Sequence, residues 1–99
     1  MPIYTLAPST RKDKRFSLTT PEGKTLHFGS AGGETFIDHS NIRKKLNWVA
    51  RHKTNPNWNN KNSPIYYSRH LLWGEWDDLA KNIKVLNKRD GIHIYLARA

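Results

Sequence analysis

Five histidines are the residues best suited to acid–base or metal chemistry in this chain: His27, His39, His52, His70 and His93. Consecutive ones are at least twelve residues apart, so no two share a helix face at ligand spacing. Asp38-His39 followed by a helix ending at His52 faintly matches the layout of a His-Asn-His nuclease, but the glycine and second turn that frame the metal in such enzymes are missing. A metal-dependent nuclease built on Asp38, His39 and His52 therefore ranks last of three readings. Carboxylates are equally unpromising. Asp77 and Asp78 are adjacent and point to different faces of any helix, so they cannot work as an acid–base pair. No serine lies in a nucleophile elbow, and with no cysteine the chain has neither thiolate chemistry nor sulfur-bound metal. The expectation is a protein without catalytic residues, metal ligands or cofactor.

Charge is the stronger signal. Seventeen Lys and Arg against eight Asp and Glu give a formal charge of +9 in 99 residues, with a pI near 10.1. Such a field concentrates polyanions, which fits acidic protein surfaces, nucleic acid or anionic lipid. No acidic residue occurs between Asp38 and Glu75. Arg43, Lys44, Lys45, Arg51, Lys53, Lys61 and Arg69 all fall in that span. A second cluster, Arg11, Lys12, Lys14 and Arg15, is interrupted only by Asp13. Charge runs are ordinarily solvated surface, but helix surfaces ordinarily mix signs, and this one does not. Trp58 stands in a polar loop with five Asn between Thr54 and Asn62, where an indole serves either as a lid on the core or as a platform for a base.

The elements that must position these residues read as one α+β domain spanning residues 1–99. A mean hydropathy of -0.81, offset by four Trp, four Tyr and three Phe, implies a thin, aromatic-rich core. Met1 to Ala7 reads as a short strand ended by Pro8. Phe16 and Leu18, then Leu26 and Phe28, alternate with polar residues around Thr20-Pro21-Glu22-Gly23, which predicts a β-hairpin. Asp38 or Ser40 is placed to cap a helix running to about His52 with Ile42, Leu46 and Val49 on its core face. Ser63-Pro64 starts another helix, ended by Gly74, with Tyr67, Leu71 and Leu72 facing inward. A further helix is expected from about Glu75 to Arg89, with Trp76, Leu79, Ala80, Ile83 and Leu86 as its stripe and Asp90-Gly91 as its stop. Ile92, Ile94 and Leu96 close the chain as a strand. The predicted architecture is a small antiparallel sheet, N-terminal hairpin plus C-terminal strand, packed against two or three helices.

Several segments together resemble a small family of uncharacterised proteins of large double-stranded DNA viruses. They are Pro21-Glu22-Gly23-Lys24 with Phe28-Gly29, Phe36-Ile37-Asp38-His39, Arg51-His52 with Trp58, and Tyr67-Ser68-Arg69-His70-Leu71-Leu72-Trp73. The resemblance covers about Lys14 to Gly74. Ser63-Pro64-Ile65-Tyr66 departs from the family's small-residue and aromatic segment, and the C-terminal strand is particular to this chain. The resemblance implies a viral setting and carries no activity.

Composition and resemblance together lead to a non-enzymatic virion-associated protein, a minor capsid or cement component that contacts acidic capsid proteins. The contact residues would come from Arg11, Lys12, Lys14, Arg15, Arg43, Lys44, Lys45, Arg51, Lys53, Trp58, Lys61 and Arg69. The alternative is a sequence-nonspecific nucleic-acid binder using the same residues. No stretch approaches the roughly 20 apolar residues of a membrane span, and the start of the chain lacks a signal-peptide layout. The expected location is the virion or the host-cell interior.

Overall fold

In the computed structural model, which describes residues 2–97, the chain begins with three strands, β1 (Ile3–Pro8), β2 (Lys14–Thr19) and β3 (Thr25–Ser30). Their register aligns the apolar alternation: Leu6 pairs with Leu18, Leu18 with Leu26, and Phe16 with Phe28, so these side chains share one face. The β2–β3 hairpin turns as the sequence predicts, Gly23 adopting a φ of +90° while its amide donates to the Thr20 carbonyl at 2.9 Å.

The chain then leaves the sheet for its helices and returns as β4 (His93–Leu96). The strand order is β3-β2-β1-β4. β4 runs parallel to β1, with Tyr4 opposite Ile94 and Leu6 opposite Leu96, so the sheet is mixed where an antiparallel one was expected. The reason is topological: an intervening helical layer brings the chain back to the end of the sheet at which β1 starts. The α+β class and the helices packed on the small sheet agree with the sequence reading. Among the described residues no helix is long and apolar enough to cross a membrane.

The helical segment differs from expectation at three boundaries. A short helix, α1 (Phe36–His39), precedes α2 (Ile42–His52), and Ser40 between them adopts a left-handed φ of 57°. Neither Asp38 nor Ser40 caps α2; the Oδ1 of Asn41 does, accepting from the Lys44 amide at 3.1 Å. Asp38 is occupied elsewhere. It accepts from the Thr35 amide at 2.7 Å, and its carboxylate receives both terminal nitrogens of Arg15, Nη2 donating to Oδ1 at 2.8 Å. The Arg15 hydrogen bond first, and those from Thr35 with it, hold the Asp38 carboxyl down at about 2.

Pro64 opens α3 (Pro64–Tyr67) after Ser63 as predicted, but the helix continues as a π-helical turn, Ser68–Leu72, instead of running to Gly74. The last helix, α4 (Leu79–Asp90), starts three to four residues later than Glu75 because the Asp78 side chain caps it, accepting from the Lys81 amide at 3.1 Å. Trp76 consequently lies outside the helix and is 44% exposed. Gly91, at φ +64°, ends α4 where the Asp90-Gly91 signal puts the stop.

The core joins Leu6, Leu18, Leu26, Phe28 and Ile94 of the sheet to Tyr66, Tyr67, Leu71 and Leu72, with Ile83, Leu86 and Ile92 closing one side. Of the buried polar residues Asn82 is the least exposed. Asn82 is 1% exposed, and its amide donates to the carbonyls of Leu71 and Trp76 at 3.0 and 2.8 Å while its Oδ1 accepts from the Trp76 amide at 2.8 Å. Asn82 thereby clips the 73–77 segment to α4. Gly74 lies beneath that clip, where a Cβ would stand 2.2 Å from the His70 carbonyl and 2.9 Å from Asn82. Asn82→Leu removes all three bonds and leaves the buried Leu71 carbonyl and the part-buried Trp76 backbone groups without these partners, so the expected loss of stability is about 3 kcal/mol. Chemical denaturation of the two proteins measures it.

Candidate polyanion-binding surface

The basic helix α2 contains no fully buried residue. Ile42 and Leu46, placed on the core face by their spacing, are 57% and 60% exposed, which corrects that expectation. The inward arc is instead Lys45, Trp48, Val49 and His52, all half-buried. Aromatic stacking sets this rotation. Trp48 lies flat against Trp73, ring centres 5.1 Å apart and planes 9° from parallel, and His52 also stacks on Trp48 at 4.4 Å. The edge of the stack is completed by Trp58, 5.8 Å from Trp48, and by His39, 5.5 Å from Trp73. Each such pair contributes about 0.5–1.5 kcal/mol beyond burial. A Trp offers more stacking surface than Leu or Ile, and here it decides which side of the helix faces inward.

The rotation leaves cations outward. Arg43, Lys44, Arg51 and Lys53 are exposed, and among the described residues none of them makes an ion pair. Lys45 is half-buried, its ammonium 4.8 Å from the Phe36 ring centre. Lys14 reaches the same region from β2, sharing with Trp48, His52 and Trp73 the lining of a cleft of about 250 Å³. Arg11 and Lys12 stand exposed on the β1–β2 loop.

The remaining candidates are fastened within the molecule. Arg15 is spent on Asp38. Lys61 lies 3.6 Å from Asp90. Arg69 stacks over Trp58 at 4.4 Å and donates from Nη1 to the Trp58 carbonyl and to Asn59 Oδ1 at 3.0 and 2.9 Å. Trp58 is thus covered on one face by a guanidinium and lies tilted at 41° to Trp48, half-buried at the end of a cleft. The candidate nuclease trio is dispersed in role: Asp38 holds Arg15, His39 Nδ1 accepts from the Asn41 amide at 2.9 Å, and His52 bonds the Trp48 carbonyl at 2.8 Å. Among the described residues no group of three or more His, Asp or Glu is gathered as a metal site would require.

Sequence reasoning passed over Trp48, Trp73 and Arg89 as site-forming residues. The Trp48–His52 spacing of four was the available signal for the stack. His70 also gains meaning only in three dimensions. Its Nε2 is buried without a hydrogen-bond partner, and burial, followed by the charges of Arg69 and Arg89, pushes its pKa down to about 4 against the opposing pull of Asp90.

A family described as "Family of unknown function (DUF5754)" matches residues 4–52. The match runs from β1 through α2 and stops before the Trp58 loop, the π-helical turn and α4. No curated protein and no solved structure matches the chain.

Two outcomes follow from this geometry. Trp48→Ala should release α2 while leaving the sheet in place, so hydrogen exchange of residues 42–52 accelerates and that of β1–β3 does not. His70 titrates below the ordinary 6.5 in the folded state, so the unfolded chain takes up a proton first. Stability is then level above pH 6.5 and falls as the pH drops towards about 4. Denaturation midpoints across this range show the slope, and His70→Gln should flatten it.

Proposed function

We propose that this protein is a non-catalytic, virion-associated structural component that docks through α2 onto an acidic protein surface. The observation that carries the reading is the composition of the outward side of α2. Exposed Ile42 and Leu46 stand beside Arg43, with Lys44 and Arg51 on the adjoining arc, and among the described residues none of these cations has an acidic partner.

A phosphate backbone is held by cations and hydrogen-bond donors and gains little from two bare aliphatic side chains. Protein interfaces combine the two chemistries, with apolar residues at the centre and charges that select the partner at the rim. A partner of the complementary kind presents an apolar patch ringed by Asp and Glu. The viral part of the reading rests on the family resemblance of Lys14 to Gly74.

Nucleic-acid binding by the same cations is the competing reading, and one pair of titrations separates the two. The full chain is titrated with an amphipathic peptide of alternating Glu and Leu and with duplex DNA, each at several salt concentrations. Docking on protein predicts that Leu46→Ser weakens peptide binding about tenfold and that part of the affinity survives high salt. Arg43→Gln with Lys44→Gln should weaken it further. A steep salt slope on DNA that Leu46→Ser leaves untouched, with no peptide binding, would transfer the function to nucleic acid. Mass spectrometry of purified particles tests the virion assignment, which requires stoichiometric copies.

A further inference from the structure

Next to the Ile42 and Leu46 side of α2, where Lys45, Val49 and Lys53 line it, the helix faces α4 across an open cleft of about 350 Å³. Its floor is the π-helical turn and the segment after it, with His70, Trp73 and Gly74; Trp58 forms one end. Lys53 enters from the end of α2, Arg69 from the floor and Arg89 from the last turn of α4, against Glu75 as the lining carboxylate. We propose that this cleft is a binding site for a small phosphorylated ligand, whose phosphate is held by Lys53, Arg69 and Arg89.

Three features support it beyond the count of charges. Burial first, and then the charge of Arg89, lowers the Arg69 pKa, and after burial both guanidiniums oppose charge on His70, so positive charge is crowded at this cleft and a bound dianion relieves it. Asp90, the nearby acid that could offset them, already accepts from the Tyr66 hydroxyl at 2.8 Å and faces Lys61. Arg69 is also preorganised: its Nη1 is anchored on the Trp58 loop, and its Nε and Nη2 have no acceptor among the described residues. Two arginines and a lysine lining one cleft from three elements suit a phosphate, which takes paired donors from Arg and a point charge from Lys. The volume admits a phosphate ester larger than the ion itself.

Free phosphate and a phosphorylated nucleoside present the same group, and the test distinguishes them. The full chain is titrated at constant ionic strength with inorganic phosphate, with adenosine monophosphate and with adenosine, following the Arg side-chain and Trp indole NMR signals. Saturable shifts are expected with the two phosphates, at dissociation constants on the order of 0.1–1 mM, and none with adenosine. Equal affinity for both identifies the phosphate group alone as the ligand; tighter binding of the nucleotide identifies the ester. Arg89→Gln should weaken binding about tenfold and Lys53→Gln several-fold, whereas Lys44→Gln, outside the cleft, should leave it unchanged. Both cleft positions are exposed, so the fold is retained and checked by the same spectra. A second readout is the His70 midpoint. It is held down by burial first and then by Arg69 on its own turn and Arg89 of α4, against Asp90 of α4, with the Tyr66 ring of α3 beside it and Lys53 of α2 and Glu75 lining the same cleft, and a saturating dianion should raise it. Absence of saturable shifts, or equal weakening by Lys44→Gln and Arg89→Gln, overturns the site. The docking surface on Ile42, Arg43 and Leu46 shares no residue with it, so either assignment can fail without the other.

Discussion

The flat contact between Trp48 and Trp73 is the interaction on which the surface chemistry of this protein depends. Helix α2 carries four Lys and Arg in eleven residues yet sinks no side chain fully into the core. Its attachment is a sequence of rings, with His52 on Trp48, Trp48 on Trp73, and Trp58 and His39 at the margins. Stacked rings bury area without requiring the helix to approach closely, so a cleft remains between α2 and α4. Rotating α2 to return Ile42 and Leu46 to the interior would break the stack and turn the cations of the outward arc towards the body of the protein, where they lack acids to meet them.

The rest of the molecule supplies a rigid base for that arrangement. The four-stranded sheet and the α3–π-turn unit share the apolar core, and the wider π-helical turn is followed directly by Trp73, the side chain that receives Trp48. Asn82 fixes the segment after Trp73 by three hydrogen bonds, and the Arg15–Asp38 pair ties the start of the helical region to β2. Each is a polar group fully used within the fold. They explain why a basic protein still spends some of its charged residues on structure: Arg15 is held by Asp38 and Arg69 is anchored through Nη1 on the Trp58 loop, while Arg43, Lys44, Arg51 and Lys53 face solvent without an ion pair among the described residues.

Much of the candidate surface was legible from composition because the absence of acids between Asp38 and Glu75 is a linear property, and neutralising partners there had to come from outside the span. Which cations found such partners was not legible. Asp38 reaches back to Arg15 and Asp90 reaches Lys61, both across more than twenty residues. Arg89 joined Arg69 and Lys53 only because α4 folds alongside the π-helical turn.

Local chemistry by itself determined the β2–β3 hairpin, the Pro64 helix start, the Gly91 stop and the alternation of the closing strand, because turn geometry and side-chain period act over a few residues. The tertiary structure decided the parallel pairing of β4 and the late start of α4, along with the break at Ser40 and the inward side of α2. Each of these is a competition between alternatives of similar local energy. Ile42, Leu46 and Val49 form as good an apolar stripe as helical spacing permits, and the position of Trp73, twenty-five residues after Trp48, keeps Val49 at the inner edge while turning Ile42 and Leu46 out.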